Sequence, residues 1–378
     1  MARRPFLDRV PIPAKVALAA LALYFFLVGI GALGAAFKMM GSGVTDRLLR
    51  TEAGPLVSLF IGILATTLVQ SSSTTTSIVV GLVATGVLGF HSAVYMVMGA
   101  NVGTTVTNTI VSLGHMRRTH EYRRAFAAAT VHDFFNMIVL LVLFPLEVCT
   151  GGLDFLAGHA TDLFEGVGGF KLANPIKLVT KPTITALHDL VVWLGGGGVA
   201  LLILAVALTF GMLISLVKIL RSVMVTKMEN LFDRVLFRSP GRALAVRLLM
   251  TMLVQSSSIT TAVAVPLVGA GLITLRQVLP YTMGANIGTT VTALVASLAA
   301  LAGAEAGAEG TARLGVRLAF HHVLFNVVGV AMLWHIRWIP IAIAEGFAGL
   351  AMKNRLIPLV YIVVTFYLGP FLIILLGR

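Results

Sequence analysis

The chain has 378 residues, of which 58% are hydrophobic and only 11% are charged. Soluble domains carry about 25% charged residues, so this composition excludes a water-soluble globular fold and indicates a membrane protein. The formal net charge is +13, but the basic residues lie mostly in short segments between apolar runs, which indicates membrane topology and argues against nucleic-acid binding.

The first predicted elements are apolar runs long enough to cross a bilayer as helices, which takes about 20 residues. The first run is 14–37, and three arginines before it place the N-terminus in the cytoplasm, because basic loops stay inside. This run is too long for the apolar region of a signal peptide and lacks a small-residue cleavage site, so we expect a retained span. The other predicted spans are 126–149, 190–217, 314–337 and 356–376.

Two longer apolar regions, 55–113 and 248–301, contain Gly, Asn and runs of Ser and Thr. Each is predicted to form a re-entrant hairpin followed by a broken helix. Backbone in hydrocarbon must satisfy its own hydrogen bonds, so such breaks persist only inside protein or beside a water-filled cavity.

The chain also repeats itself, because three sequence blocks recur in the same order. In both copies an Asn follows the Gln of the first block by 31 positions, which is far beyond chance. The blocks are Leu68–Ser73 and Leu253–Ser258, Met98–Thr107 and Met283–Thr292, and His132–Asn136 and His322–Asn326. An internal duplication follows.

The duplication and the basic loops together give a domain plan. We expect a first repeat at 1–149, an extracellular linker at 150–189, a second repeat at 190–338, and an amphipathic segment with a C-terminal span at 339–378. The basic residues that mark cytoplasmic loops are Arg117, Arg118, Arg123 and Arg124, and then Lys218, Arg221, Lys227, Arg234, Arg238, Arg242 and Arg247. Counting spans between these loops makes the two repeats enter the membrane from opposite faces. The predicted fold is an all-α polytopic membrane protein, an inverted-topology repeat with re-entrant hairpins and discontinuous helices, as in secondary transporters.

The segment Gln70–Thr76 is a run of polar residues inside an apolar stretch. At the tip of a hairpin, the first N–H groups of a new helix have no intrahelical partner and can bind an oxyanion. The Ser hydroxyls can donate to that anion or turn their lone pairs toward a cation. The alternative is that these hydroxyls bond back to carbonyls one turn earlier or join helices together. The length of the run and its duplication favour the binding site.

The segments Asn101–Thr105 and Asn286–Thr290 each place Gly and two Thr inside an apolar run. A Gly can loosen the helix there, and freed carbonyls, Thr hydroxyls and the Asn oxygen would supply the neutral oxygen ligands of a sodium site. The alternative is a close helix crossing at Gly with Thr at the contact.

Polar and ionisable side chains also occur near the start of two predicted spans. An intramembrane ionisable group is a functional candidate by default, but His and Asn four residues apart can also pack on each other. These supporting candidates are His132, Asp133, Asn136, His322 and Asn326. The position of Asp133 is occupied by Val323 in the second copy, so a charge at this position would act in one repeat alone.

On these motifs, the sequence resembles the type II sodium-dependent phosphate cotransporters in their short bacterial form. The paired Gln-Ser-Ser-Ser and Gly-Ala-Asn-x-Gly-Thr-Thr motifs carry the resemblance, together with Arg123–Asn136 and Thr180-Lys181-Pro182. The resemblance implies that phosphate binds where the two Gln-Ser-Ser-Ser segments meet, at Gln70, Ser71, Ser72, Ser73, Gln255, Ser256, Ser257 and Ser258. The implied sodium ligands are Ser73, Thr74, Asn101, Thr104, Thr105, Ser258, Asn286, Thr289 and Thr290.

The expected function is therefore uptake of inorganic phosphate with Na⁺ as the co-transported ion, by alternating access around a midplane site. The alternatives are another oxyanion, another coupling ion, or phosphate efflux. An intramembrane enzyme could be imagined from Ser73 and His132, but duplication of a catalytic pair has no evident use, and no enzyme is expected. We expect a multi-pass protein of the cell membrane that meets the lipid bilayer and no nucleic acid, with a monomer as the transport unit and a dimer as the alternative.

Overall fold

The fold is described by a computed structural model, which covers residues 10–40, 53–113, 119–209, 239–254, 264–304 and 308–377, with five residues between 211 and 219. Within these ranges no residue lies in a β-strand. The helices of the first half are α1 (Ile12–Met40), α2 (Pro55–Val69), α3 (Ser72–Ala84), α4 (Phe90–Gly103), α5 (Val106–Leu113), α6 (Thr119–Thr150) and α7 (Gly152–Gly166). The chain is thus all-α wherever it is described, as predicted.

The second half continues in the same way. After a 3-10 turn at Gly169–Leu172, its helices are α8 (Ala173–Trp193), α9 (Gly198–Thr209), α10 (Pro240–Val254), α11 (Leu275–Gly303), α12 (Glu309–Trp334), α13 (Trp338–Lys353), α14 (Leu356–Ile362) and α15 (Gly369–Leu376). A π-helical segment, Val363–Leu368, joins the last two helices. Residues 264–269, where the described chain resumes before α11, are also helical.

Five of these helical stretches are long and apolar enough to cross a membrane. They are Ile12–Ala36, Glu121–Thr150, Leu275–Ala302, Glu309–Trp334 and Leu356–Leu376. Four coincide with spans predicted from the sequence, and the remaining one, Leu275–Ala302, lies in a region predicted to be interrupted. These features make the chain a helical membrane protein.

The region between the repeats differs from the prediction. The segment 150–189, expected as a linker, is largely helical and contains α7 and most of α8. The span predicted to begin at Leu190 instead begins at Gly198, because α8 ends at Trp193 and four consecutive glycines follow. Gly195 has a φ of +76°, a conformation that an L-residue side chain disfavours and that ends the helix.

Helices α2 and α4 run parallel in close contact, and glycines permit the approach. A Cβ atom at Gly99 would collide with the carbonyl oxygen of Leu59, and one at Gly103 would collide with that of Ile63. Both contacts pair residues that are 40 positions apart, so the two helices point the same way. The contact therefore forms one tight helix pair.

The second copy contains the same helix pair, formed by α10 and α11. A Cβ atom at Gly284 would collide with the carbonyl oxygen of Leu244, and one at Gly288 would approach that of Leu248 within 2.9 Å. Each of these four residues lies 185 positions after its counterpart in the first copy. The sequence duplication therefore coincides with duplicated packing.

Helices α2 and α3 form a hairpin. The Ser92 hydroxyl, at the start of α4, donates to the Ala53 carbonyl just before α2 over 3.2 Å. Since α2 and α4 begin side by side and run parallel, α3 must return from the end of α2 to the start of α4. The tip of this hairpin is at Gln70 and Ser71.

A break in the helix that follows the hairpin occurs in one copy only. In the first copy, α4 ends at Gly103 and α5 begins at Val106. In the second copy, α11 continues without interruption through Asn286–Thr290, so the break predicted there is wrong. One physical difference is that Ala293, a strong helix former, takes the place of Asn108, whose side chain competes for backbone bonds.

The core lies where the two halves meet. Its largest cluster of buried apolar side chains includes Val80 from α3, Met98 from α4, Phe135 from α6, Ala293 from α11 and Phe325 from α12. The long helices α6 and α12 pack against each other, and both also contact α4 and α11. The polar motifs of both copies are therefore brought into the same interior region.

Candidate functional site

A chain of side-chain hydrogen bonds joins the two halves in this interior. His132 Nε2 lies 2.8 Å from Asn286 Oδ1, and Asn286 Nδ2 donates to Asn136 Oδ1 over 2.6 Å. Asn136 Nδ2 then donates to the Asn101 carbonyl over 3.3 Å. These bonds connect α6, α11 and α4, and all four residues are buried. The structure thus brings together three of the repeated motifs.

The hydrogen-bond partners of His132 also determine which tautomer its imidazole adopts. Because the Asn286 amide nitrogen donates to Asn136, its oxygen faces His132 and accepts from Nε2–H. His132 Nδ1, 3.4 Å from Asn108 Nδ2, then accepts from that amide. The result is a one-way series of donors through a neutral histidine, in which each bond polarises the next.

Beside this chain, the buried Asp133 carboxylate binds two hydroxyls. Its Oδ2 accepts from Thr109 Oγ1 over 2.9 Å and from the Tyr361 hydroxyl over 3.1 Å. Its Oδ1 has no partner among the described residues. Asp133 is thus held by α5 and α14, and Val323 replaces it in the second copy.

The first Gln-Ser-Ser-Ser segment forms the tip of the α2–α3 hairpin. Gln70 ends α2 with a φ of +55° and is exposed, whereas Ser72 and Ser73 are buried. Ser71 is the N-cap of α3, and its Oγ accepts from the Thr74 amide over 3.3 Å. Ser72 and Ser73 occupy the first helical positions, where amides have no carbonyl four residues earlier to bond. Such an end can bind an anion.

The second Gln-Ser-Ser-Ser segment lies outside the described residues. It comprises Gln255, Ser256, Ser257 and Ser258. The described chain ends before it with α10 and resumes after it with the helical residues 264–269.

The predicted sodium ligands with Thr side chains use their hydroxyl protons within their own helices. In the first copy, Thr104 Oγ1 donates to Ala100 over 3.0 Å and Thr105 Oγ1 to Val102 over 2.8 Å. In the second copy, Thr289 and Thr290 donate to carbonyls three residues earlier over 2.7 Å. This is the back-bonding alternative considered above, and it leaves the lone pairs of each hydroxyl as acceptors or ligands.

The hairpin hydroxyls show the same local bonding. Ser71 Oγ and Thr74 Oγ1 are 2.8 Å apart, and Thr76 Oγ1 donates to the Ser72 carbonyl over 2.8 Å. Ser73 and Thr74, which were predicted as sodium ligands, are both buried in this first turn.

The second His-x-x-x-Asn pair makes no cross-helix bond within the described chain. Asn326 Nδ2 donates to the His322 carbonyl over 3.0 Å, which is a bond within α12. Both ring nitrogens of His322 are buried without a partner among the described residues. The two pairs therefore match in sequence and differ in their contacts.

Arg247 corrects the sequence-based topology. It was counted with the basic residues of a cytoplasmic loop, but it is 0% exposed within α10. Its Nη1 donates to the Tyr281 hydroxyl over 3.1 Å, and its guanidinium carbon lies 4.5 Å from the centre of that ring. A buried cation next to an aromatic face is stabilised there. Arg247 is therefore not evidence for a cytoplasmic loop.

Sequence reasoning also missed three residues of the site, namely Asn108, Thr109 and Tyr361. A signal for the first two existed, because polar residues recur at helical spacing and form a stripe at Asn101, Thr105, Asn108, Thr109 and Ser112. No local pattern could have paired Tyr361 with Asp133, which lies 228 positions away.

The sequence is similar to those of known transport proteins. The sequence profile described as the Na⁺/Pi-cotransporter family matches residues 25–152 and 207–353. The chain is 31% identical, over an alignment 441 positions long, to the sodium-dependent phosphate transport protein 2B of Homo sapiens, covering 92% of this chain and 63% of the relative. It is 33% identical over 426 residues to the protein 2A of Rattus norvegicus, covering 93% and 66%.

The chain thus spans slightly less than two thirds of the length of these relatives. The relatives are transport proteins, in agreement with the expectation that no enzyme is present. No solved structure matches the chain.

Proposed function

The chain belongs to the Na⁺/Pi-cotransporter family, and on that premise we propose that it carries inorganic phosphate into the cell together with Na⁺. The observation that carries the proposal is the bonding of His132 and Asn136 to Asn286, which joins motifs of both repeats in the protein interior. The proposed cycle is alternating access around a midplane site, in which the two repeats move relative to each other.

The proposed topology places one set of helix ends outside the cell. Gly86, after α3, lies against Thr311 at the start of α12, and Gly377, after α15, lies against Val57 at the start of α2. These contacts support a common outer face at which the α2–α3 hairpin opens. The end of α15 belongs to the same face.

The opposite set of ends is proposed to be cytoplasmic, together with the N-terminus. Gly271, before α11, lies against the Arg124 side chain at the start of α6. The rings of Phe126 and Phe347 are 5.5 Å apart, so α13 also lies at this end of α6. Basic residues such as Arg124 and Lys353 near this face agree with a cytoplasmic side. The second hairpin would then open inward, opposite to the first.

Phosphate is proposed to bind between the two hairpin tips. The first tip offers the amides at the start of α3 and the hydroxyls of Ser71–Ser73, and the identical sequence Gln255–Ser258 would offer a second set. Neutral donors at helix ends stabilise an anion without a fixed positive charge.

Sodium is proposed to bind beside the phosphate, at oxygen atoms of Ser73, Thr74, Asn101, Thr104, Thr105, Ser258, Asn286, Thr289 and Thr290. The Thr hydroxyls of the two Gly-Thr-Thr segments donate to the backbone and keep lone pairs for a cation. His132, Asp133, Asn136, His322 and Asn326 would support these ligands. The proposed transport unit is a monomer in the cell membrane.

Uptake of phosphate against the membrane potential requires coupling ions. Moving a divalent phosphate into a cell at −100 mV costs about 4.6 kcal/mol, since each elementary charge contributes about 2.3 kcal/mol. Two sodium ions entering with it cancel that electrical cost, and their own gradient then drives accumulation.

The test is uptake of radiolabelled phosphate into proteoliposomes that contain the purified full chain. We expect uptake with Na⁺ outside and none with K⁺ or choline, and stronger competition by arsenate than by sulfate. Equal uptake in Na⁺ and K⁺ would contradict sodium coupling, and a response to a pH gradient alone would indicate proton coupling. Vesicles loaded with phosphate test the efflux direction.

Two variants connect uptake to the hairpin tips. Gln70→Ala and Gln255→Ala should each abolish the sodium-dependent part of uptake while the protein remains folded. Gln277→Ala is the matched control, because Gln277 bonds Thr274 at the exposed start of α11. Unchanged uptake in both tip variants would mean that these residues are not part of the site.

A further inference from the structure

The two His-x-x-x-Asn pairs make different contacts although their sequences match. In the first pair, His132 and Asn136 both reach across to Asn286, over 2.8 and 2.6 Å. In the second pair, Asn326 bonds a carbonyl of its own helix, and both ring nitrogens of the buried His322 have no partner in the described part of the chain. One pair is therefore engaged with the other repeat and one is not.

Asn101, the counterpart of Asn286, is also bonded within its own helix. Its amide nitrogen donates to the Val97 carbonyl over 3.3 Å. Helix α4, which carries Asn101, packs against α12, which carries His322, just as α11 packs against α6. The groups needed for a second, equivalent set of bonds therefore sit on neighbouring helices.

The unpartnered imidazole is the observation that calls for a second conformation. His322 is 0% exposed, and a buried polar group without a partner is unfavourable and uncommon in native proteins. A conformation in which this imidazole is bonded would remove the penalty. The duplicated sequence identifies its partner, because Asn101 corresponds to Asn286 as His322 corresponds to His132.

We infer that His132 and His322 are positioning residues that act in turn. In the described conformation, His132 and Asn136 hold Asn286. In the opposite conformation, His322 Nε2 donates to Asn101 Oδ1, Asn101 Nδ2 donates to Asn326 Oδ1, and the bonds to Asn286 are released. This inference rests on the alternating access of the proposed function.

The exchange would couple ion binding to the conformational change. Asn101 and Asn286 are both proposed sodium ligands, and an amide oxygen that accepts from an imidazole has one lone pair fewer for a cation. In each conformation, one Asn oxygen would be held by a histidine and its counterpart would be free to bind sodium. The two repeats would then alternate in their readiness to take up the ion.

The experiment measures the populations of the two conformations by pulsed EPR. Spin labels are attached at Leu68→Cys on α2 and Leu249→Cys on α10, positions that are 66% and 58% exposed, in a Cys149→Ser background. His132→Phe should lower the ratio of the described to the opposite conformation about fivefold, and His322→Phe should raise it by a similar factor, since one net hydrogen bond corresponds to about this ratio.

Two further variants separate positioning from general structural damage. The double variant His132→Phe/His322→Phe should return close to the parent ratio. His132→Gln, whose amide can still donate to Asn286, should stay closer to the parent than His132→Phe does. A merely structural role would not move the two single variants in opposite directions.

A shift of both single variants in the same direction, or no shift in either, would overturn the inference. A single distance in the parent that sodium and phosphate leave unchanged would also overturn it. Uptake by the unlabelled wild-type chain is measured separately, so sodium-dependent uptake together with shifts of the same sign would reject the exchange and leave the proposed function intact.

Discussion

The phenolic oxygen of Tyr361 lies 3.1 Å from Oδ2 of Asp133 and donates a hydrogen bond to it across 228 positions of the chain. The contact joins α14 to the middle of α6, one residue after His132. Thr109 supplies a second hydroxyl to the same oxygen over 2.9 Å. The C-terminal helices are thereby fixed to the polar interior rather than only to the apolar surface of the bundle.

Removing this hydroxyl should destabilise the protein measurably. We expect Tyr361→Phe to lower the free energy of unfolding by about 1.5–3 kcal/mol, the range for a hydrogen bond to a charged group. Thermal unfolding in detergent measures the change. Tyr367→Phe is the matched control, because no hydrogen bond of its hydroxyl occurs among the described residues. Equal loss in both variants would assign the effect to the ring and not to the bond.

The different bonding of the two Asn residues predicts a difference in stability. Asn136→Ala removes one bond to Asn286 and one to the Asn101 carbonyl, whereas Asn326→Ala removes a bond within its own helix. We expect a loss of about 2–4 kcal/mol for the first and about 1 kcal/mol or less for the second. Both are Asn→Ala changes inside a long helix, so helix propensity cancels in thermal unfolding. Equal losses would refute the assigned contacts.

The close helix pairs predict that a single methyl group disrupts each repeat. Gly99→Ala and Gly284→Ala would drive a Cβ atom into the carbonyls of Leu59 and Leu244. We expect each to cost about 1–3 kcal/mol or more, since the helices must separate. Gly346→Ala on α13 is the control, where a Cβ meets nothing within 4 Å and should stabilise by about 0.5–1 kcal/mol. Thermal stability that is unchanged by Gly99→Ala would contradict the packing.

Ser71 caps α3 and is also proposed to bind phosphate, and a matched pair of variants can distinguish these two roles. As the N-cap of α3 it bonds the Thr74 amide, and Thr274 is the N-cap of α11, in a capping box with Gln277. Ser71→Ala and Thr274→Ala should each lower stability by about 1 kcal/mol. Only Ser71→Ala should also raise the KM for phosphate in the uptake assay, by about fivefold, the effect of one lost hydrogen bond. An equal KM in the two variants would mean that Ser71 caps α3 without binding phosphate.

The helical class and the duplication could be predicted because they depend on composition and on repeated identities. Leu68–Ser73 and its second copy are unmistakable in one sequence, and so are the long apolar runs. The start of the middle span could not be placed correctly, since apolarity continues through 190–209 while the four glycines stop the helix. Hydropathy does not report backbone conformation.

The site was predicted less completely, because its contacts depend on tertiary structure. The pattern Gly-Thr-Thr suggested a break in both copies, yet the Thr hydroxyls return to the backbone in both and only the first copy is interrupted. Arg247 was counted with the basic residues of a loop. Its burial against Tyr281 is a tertiary contact, and no local sequence pattern indicates it. His132 is hydrogen-bonded to the other repeat and His322 is not, and the sequence could not predict this difference because the two motifs match.

The uninterrupted course of α11 gives the two halves unequal mechanical properties. Helix α11 has 29 residues and is about 43 Å long, and it is continuous through Asn286–Thr290, although Pro280 near its start removes one backbone donor. The corresponding stretch of the first half has a joint at Thr104 and Thr105, where α4 and α5 can bend relative to each other. Flexing is thus expected in the first half, and the second half serves as the lever against which it moves.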